Sequence, residues 1–222
     1  MESKKIIIII LFLLFVLHLL TLKGDPSLIE NIITGVYLLI FTPIVIIFII
    51  DYIKLMYKKF QAGQGDMKAQ LELGNIYVSG DENERDYKKA IKWFKKAAKQ
   101  GNDKAQYNLG YLYSMGLGVE KDYKEAVKWI KKSAIKGNKL AQNALGKMYE
   151  TGEGMHKSFE VAVKWYKKAA EQGQKNAQYN LGYMYERGLG VKKNNYEAIR
   201  WYEEASKQGN EAAMNRLTKL KD

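Results

Sequence analysis

Cysteine is absent from the 222 residues, and histidine occurs only as His18 and His156. The first absence removes disulfides, thiolate zinc sites and a cysteine nucleophile together, while saying little about redox compartment. The second nearly excludes a histidine-based metal site or triad. Acidic side chains are scattered over what reads as helix surface, and no phosphate-cradling motif occurs. The Gly-x-Gly segments read as helix-to-helix turns, because a dinucleotide fingerprint needs a strand before it. The expectation is a protein that is not an enzyme and holds neither cofactor nor metal.

Charge is the next thing missing, and it is missing locally. Ile32 to Ile50 contains no charged residue, and Ile6 to Leu22 has only His18 and Thr21 as polar members. A helix needs about 20 residues to span a hydrocarbon core, with a lower limit of about 17. The second run meets this comfortably and the first only just. Pro43 would kink the second helix, which membrane helices tolerate. The first run could instead be a signal peptide, with Lys4 and Lys5 ahead of an apolar core. It is longer than the roughly 7–15 residues usual there, and no small-x-small cleavage site follows it. His18 lies near the end of its helix, where it can reach the interface. Residues 1–52 are therefore expected to be a membrane anchor with helices at about 6–22 and 32–50, followed by a basic juxtamembrane linker over 53–65. Lys4 and Lys5 on one flank and Lys54, Lys58 and Lys59 on the other place both ends inward. This predicts a bacterial inner-membrane protein with a cytoplasmic remainder, and Lys54, Lys58 and Lys59 against anionic lipid headgroups.

Residues 1–50 hold three basic and three acidic side chains, so the rest of the chain carries the whole net charge of +12. Aligned on itself, that rest repeats at an offset of 36. Ala69, Ala105, Ala141, Ala177 and Ala213 are in register, as are Leu73, Leu109, Leu145, Leu181 and Leu217. Gly74, Tyr77, Ala90, Trp93 and Gly101 each recur in every later full unit, so all four tryptophans lie 36 apart. Self-similarity at this period marks a repeat array. Each unit reads as two helices. The first carries Ala105, Leu109, Leu112 and Tyr113 at helical spacing and stops at Gly116, since glycine supplies the left-handed turn that ends a helix. The second begins near an N-cap such as Asp122 or Ser158 and buries Ala126, Trp129, Ile130, Ser133 and Ala134. Neither helix can bury its stripe alone, so the units must stack.

The pattern A-x3-LG-x2-Y-x2-G-x-G-V, followed by D-Y-x2-A-x2-W-x3-A-A-x2-G, resembles the Sel-1-like repeat, a relative of the tetratricopeptide repeat. Ala105-Gln106-Tyr107-Asn108-Leu109-Gly110-Tyr111-Leu112-Tyr113 onward to Asp122-Tyr123 and Trp129 carries it in one unit. Four units cover about 66–209, and 210–222 supply one more first helix as a cap. Two departures look like loop variation: Gly80-Asp81-Glu82-Asn83-Glu84 replaces the Gly-x-Gly loop in the first unit, and Tyr196 stands one place late in the fourth. The cysteine pairs of some secreted members are absent, which argues against the activities proposed for that branch. The resemblance implies an all-α, right-handed superhelical solenoid of antiparallel helix pairs that binds other proteins.

In such repeats the first helices line a concave groove. Its facing positions are two and one before the in-register leucine and two after it. The candidate groove residues are Asn75, Tyr107, Asn108, Tyr111, Asn143, Lys147, Tyr179, Asn180 and Tyr183, with Leu71, Glu72 and Ala144 at equivalent positions. Tyrosine offers contact area with a hydrogen-bonding tip, and asparagine amides can pair with a peptide backbone. The expected function is a membrane-tethered scaffold that binds a partner peptide or helix. The alternative is an exported or surface-exposed effector that uses the same repeats on a foreign protein. The lysine pairs Lys95-Lys96, Lys131-Lys132 and Lys167-Lys168 also recur at 36 and read first as a solvated face. An electrostatic contact would favour lipid headgroups over nucleic acid, because no Arg-aromatic interleaving suggests base stacking.

Overall fold

The computed structural model describes residues 26–80 and 85–221. They form ten helices and no strand among the described residues: α1 Pro26–Gly63, α2 Met67–Val78, α3 Tyr87–Lys99, α4 Asp103–Met115, α5 Tyr123–Ile135, α6 Lys139–Thr151, α7 Phe159–Glu171, α8 Lys175–Arg187, α9 Asn195–Lys207 and α10 Glu211–Lys221. The chain separates into two compact units, residues 1–57 and 58–222.

In the first unit the expected span at 6–22 lies outside the described residues. The expected span at 32–50 falls inside the longer helix α1. Among the described residues no helix is long and apolar enough to cross a membrane. What the described part of α1 does show is an exposed apolar run, Val45 through Ile50, each residue keeping 44% or more of its accessible surface among the described residues.

The expected linker over 53–65 is helical as far as Gly63, and the reason lies in the repeat itself. Gln64-Gly65-Asp66 stands 36 residues before Gln100-Gly101-Asn102 and makes the same turn. Gly65 N–H donates to the Ala62 carbonyl (3.2 Å) and Asp66 N–H to Gln61 (3.1 Å), as Gly101 does to Ala98 and Asn102 to Ala97. Ala62 is fully buried. The last turn of α1 therefore serves as the closing turn of an incomplete repeat, and supplies the surface on which α2 packs.

From α2 onward the helices alternate, a first helix packing on its own second helix and then on the next first helix. The N-caps are polar throughout: Asp66, Asp86, Asn102, Asp122, Asn138, Ser158, Gln174 and Asn194 each accept from a backbone N–H in the first turn. Such a cap is worth about 1 kcal/mol. First helices α4, α6 and α8 end on a left-handed glycine, for example Gly152 at φ 82°.

The closest approach within a repeat is set by the glycine after the leucine. A Cβ on Gly146 would lie 2.7 Å from the Tyr166 ring, and one on Gly182 would lie 2.9 Å from Tyr202. Gly74 and Gly110 face Phe94 and Ile130 in the same way. The residue that fills each repeat is thus Phe94, Ile130, Tyr166 or Tyr202, one place after the tryptophan. Trp129 is buried, but Trp93, Trp165 and Trp201 are only half-buried. Each tryptophan sits at the edge of its helix's apolar stripe with a cation over its ring: Lys96 on Trp93 (4.6 Å), Lys132 on Trp129 (4.8 Å), Lys168 on Trp165 (4.7 Å) and Arg200 on Trp201 (5.5 Å). The expected burial of Trp129 is found, whereas its counterparts in the other three repeats lie at the rim.

Two polar ladders run through this packing, and both keep the period of 36. Gln70, Gln106, Gln142 and Gln178 are buried. Their amides donate to the carbonyls of Ala62, Ala98, Ala134 and Ala170 at 3.0–3.2 Å, pinning each first helix to the end of the helix before it. Their own oxygens accept from Gln100 (2.8 Å), Gln172 (2.7 Å) and Gln208 (2.8 Å) in three repeats. The other repeat has Lys136 at that position. Lys136 reaches the Gly101 carbonyl, as Gln100 reaches Gly65, but leaves the Gln106 oxygen without a partner. The second ladder follows the buried aromatic. Where it is tyrosine, the first helix supplies a carboxylate: the Tyr166 hydroxyl donates to Glu150 (2.5 Å) and Tyr202 to Glu186 (2.7 Å). Where it is Phe94 or Ile130, the corresponding residues are Val78 and Ser114. A buried hydroxyl needs an acceptor, and an apolar side chain does not.

All four hydrophobic clusters, and the caps of α2 to α9, lie within 58–222. That segment is a compact unit with its own core and helix caps.

Lys136→Gln gives the Gln106 oxygen the donor its counterparts have. It is expected to stabilise the protein by about 1 kcal/mol and to raise the thermal midpoint by a few degrees in circular dichroism. Glu150→Val removes the acceptor of a buried hydroxyl and should cost roughly 1–3 kcal/mol. The double variant with Tyr166→Phe should recover most of that loss in a double-mutant cycle. Burial, and then the hydrogen bond to a carboxylate, hold the Tyr166 and Tyr202 hydroxyls well above the usual tyrosine range. Their contribution is fully present below the unfolded value of about 10 and declines as pH rises past it, since only the unfolded chain then releases the protons. In an ultraviolet phenolate titration these two should ionise only as the fold is lost.

Candidate functional site

The face built by the first helices is where the candidate groove residues fall. Asn75, Tyr107, Asn108 and Tyr111 converge on two adjoining clefts within α2, α4 and their neighbours. One, of about 490 Å³, is lined by Leu71, Asn75, Tyr107, Asn108 and Leu140, with Lys104 and Lys139 among its other walls. The other, of about 470 Å³, adds Tyr111, Val78, Tyr87 and Leu117. Helical spacing explains the convergence: positions two before and two after the buried leucine are four apart and share the face opposite it, and 36-residue stacking sets successive copies beside one another.

The asparagines along this face bond to one another. Asn108 Nδ2 donates to Asn75 Oδ1 (3.1 Å), and Asn180 Nδ2 to Asn143 Oδ1 (3.0 Å). Each pair bond uses one of the four amide N–H groups and leaves spare acceptor capacity, so it fixes side-chain direction without exhausting the hydrogen-bonding groups. Tyr107 is half-buried, and burial, then neighbouring Tyr111, raise its hydroxyl above the ordinary range. It is therefore neutral and able both to donate and to accept at physiological pH. Tyr111 is 45% exposed and Leu140 is 44% exposed.

The remaining candidates are engaged elsewhere. Lys147 pairs with Glu150 at 3.1 Å. Tyr179 lies against the Tyr202 ring (centroids 5.6 Å), and Arg216 of α10 stacks over Tyr183 (5.5 Å) while pairing with Glu186 (3.1 Å). Tyr179 and Tyr183 pack against the same buried cluster as Leu217 and Leu220 of α10, so the terminal helix shares this end of the face. Of the basic residues near the first unit, Lys54 pairs with Asp51 (3.2 Å), Lys58 pairs with Glu72 (2.7 Å), and Lys59 is exposed. Among the described residues no group of three or more His, Cys, Asp or Glu side chains could hold a metal ion.

Sequence reasoning missed Leu140, Lys104 and Lys139 as cleft residues. A signal for Leu140 existed: it stands where the other repeats have Lys68, Lys104 and Asn176, an apolar residue at an otherwise polar register.

Comparison with known proteins follows the same boundaries. The family model described as the Sel1 repeat matches residues 68–102, 103–138, 139–174 and 175–210. Among solved structures, a protective antigen present in uropathogenic Escherichia coli strains is 44% identical over 73% of this chain, with a TM-score of 0.70. The match covers 35% of that protein, so this chain spans about a third of its length. A Sel1 repeat protein from Oxalobacter formigenes is 35% identical over 77% of this chain and 68% of its own, also with a TM-score of 0.70. Among curated proteins none matches. Four contiguous matches, with the helix pairs, caps and buried glycine contacts in register, show that the chain belongs to the Sel1 repeat family.

Proposed function

We propose that this protein is a membrane-tethered scaffold that holds a peptide or helix of a partner protein in the clefts of its first-helix face. Proteins built of Sel1 repeats generally act as scaffolds for protein interaction. The observation that carries the reading is the pair of adjoining clefts in which Tyr107, Tyr111 and Leu140 offer apolar area beside the Asn75–Asn108 amides. Exposed aromatic and aliphatic anchors next to oriented amides suit an apolar side chain flanked by peptide backbone.

The tether rests on the uncharged sequence Ile32–Ile50 and on the exposed run Val45–Ile50. A patch of this kind calls for a lipid or protein cover. With Lys4 and Lys5 before the first run, Ile6–Leu22, and Lys54, Lys58 and Lys59 after the second, the positive-inside rule turns both ends of a two-helix hairpin inward and directs the repeats to the cytoplasm. A second reading, export of the repeats to the cell surface, draws support from the E. coli relative described as a protective antigen.

Two measurements test these statements. A C-terminal alkaline-phosphatase fusion is expected to be inactive and a cytoplasmic reporter active; the reverse pattern establishes export. Tyr111→Ala/Leu140→Ala should lower capture of the cognate partner in proximity labelling roughly tenfold or more with an unchanged circular dichroism melt. Unchanged labelling would remove the groove from the proposal.

A further inference from the structure

The second helices carry a feature that neither the packing nor the clefts account for. In α3, α5 and α7 the buried side is made by Ala90, Phe94, Ala97 and Ala98 and their counterparts, which leaves the opposite side to solvent. That outer side is basic in register. Positions 92, 128 and 164 are lysine, as are 95, 131 and 167, and all six are exposed.

Part of the basic character is structural. Lys96, Lys132 and Lys168, the second members of the lysine pairs, lie over the tryptophan rings. The ion pairs on these helices are Lys89–Asp86 and Lys128–Glu125, and Lys164 feels Glu160. Lys92, Lys95, Lys131 and Lys167 stand outside every one of these contacts among the described residues. Like charges held side by side repel, and four unpartnered lysines recurring on one face add nothing to folding. The fourth repeat ends the stripe: Glu203 and Glu204 replace the lysine pair, and Glu204 pairs with Lys207. The basic face therefore belongs to the three repeats that follow the apolar segment.

We propose that this outer face lies against an anionic lipid surface. The residue chemistry favours lipid over the other polyanions. The free cations are lysines, which act as point charges, and no arginine fork is present to grip individual phosphates in a defined geometry. They stand beside tryptophans at 36-residue spacing, of which Trp93 and Trp165 are half-buried and Trp129 is buried, and the pairing of lysine with an amphipathic ring edge suits the headgroup layer. No side chain on the face is placed to read a base or a groove. The inference concerns residues 58–222 alone and does not depend on the apolar segment crossing a membrane.

The test uses residues 58–222, which contain their own core and caps, in co-sedimentation with vesicles of phosphatidylcholine alone or mixed with phosphatidylglycerol. Binding is expected only to the mixed vesicles and is expected to fall steeply with salt. Lys92→Glu/Lys131→Glu/Lys167→Glu should weaken it by roughly a hundredfold or more, since each surface lysine contributes about a factor of five. Its circular dichroism melt should match that of the parent. The control Lys68→Glu/Lys175→Glu/Lys219→Glu, with three charge reversals at exposed positions of α2, α8 and α10 outside the clefts, should bind nearly as the parent does. Absence of binding to the mixed vesicles, equal binding to both kinds, or equal losses in the two variants would overturn the proposal. So would tighter, salt-sensitive binding to duplex DNA that the outer-face variant abolishes, which would assign the stripe to nucleic acid.

Discussion

A pair of short helices in water cannot bury enough apolar surface to stay folded, so every part of this chain after residue 58 depends on how closely neighbouring helices approach. The approach is set where the glycine of each first helix meets the large side chain of its partner. Removing one Cβ there lets Phe94, Ile130, Tyr166 or Tyr202 lie directly on backbone. The buried glutamines then tie each repeat to the last turn of the preceding one. The first contact is apolar and close; the second is polar and directional. Together they fix both the separation and the register of the stack.

The same logic explains where repeats differ. Position 36-mates change in pairs, because a buried group and its partner form one unit. Tyrosine at the centre of a repeat comes with glutamate on the facing helix, and phenylalanine or isoleucine comes with valine or serine. Lys136 is an unmatched change, and it leaves the one unsatisfied buried side-chain atom among the described residues. The end of α1 shows the complementary case. It has lost the tryptophan and most of the repeat signature, yet it keeps the Gln-Gly-Asp closing turn, because α2 needs a carbonyl for Gln70 and a surface to pack on.

These constraints divide the molecule into faces with different freedom. The inner stripes are dictated by packing and vary little. The open part of the first-helix face and the outer side of the second helices lie outside the core clusters, so composition there is free to respond to what lies outside the chain. One carries tyrosine, leucine and paired asparagines; the other carries lysine. A repeat architecture can present two chemically distinct surfaces in this way without disturbing its core.

The amino-acid sequence by itself determined the helix-pair repeat, its period, its caps and the all-helical stack. Those follow from local spacing of alanine, leucine, glycine and cap residues, repeated often enough to rule out coincidence. It also pointed to Asn75, Tyr107, Asn108 and Tyr111, because helical geometry assigns a face to each offset from a buried leucine. Only the tertiary structure decided which of the candidate positions lie together in a cleft. Tyr179 and Tyr183 have the right spacing but meet α10 and Arg216, and Lys147 meets Glu150, since contacts across repeats depend on side chains about 36 residues away rather than on the local pattern. The tryptophans illustrate the same limit. Their spacing identified the repeat, but their depth is set by the neighbouring residue, which fills the space over the glycine and leaves three of the four at the rim with a cation above the ring.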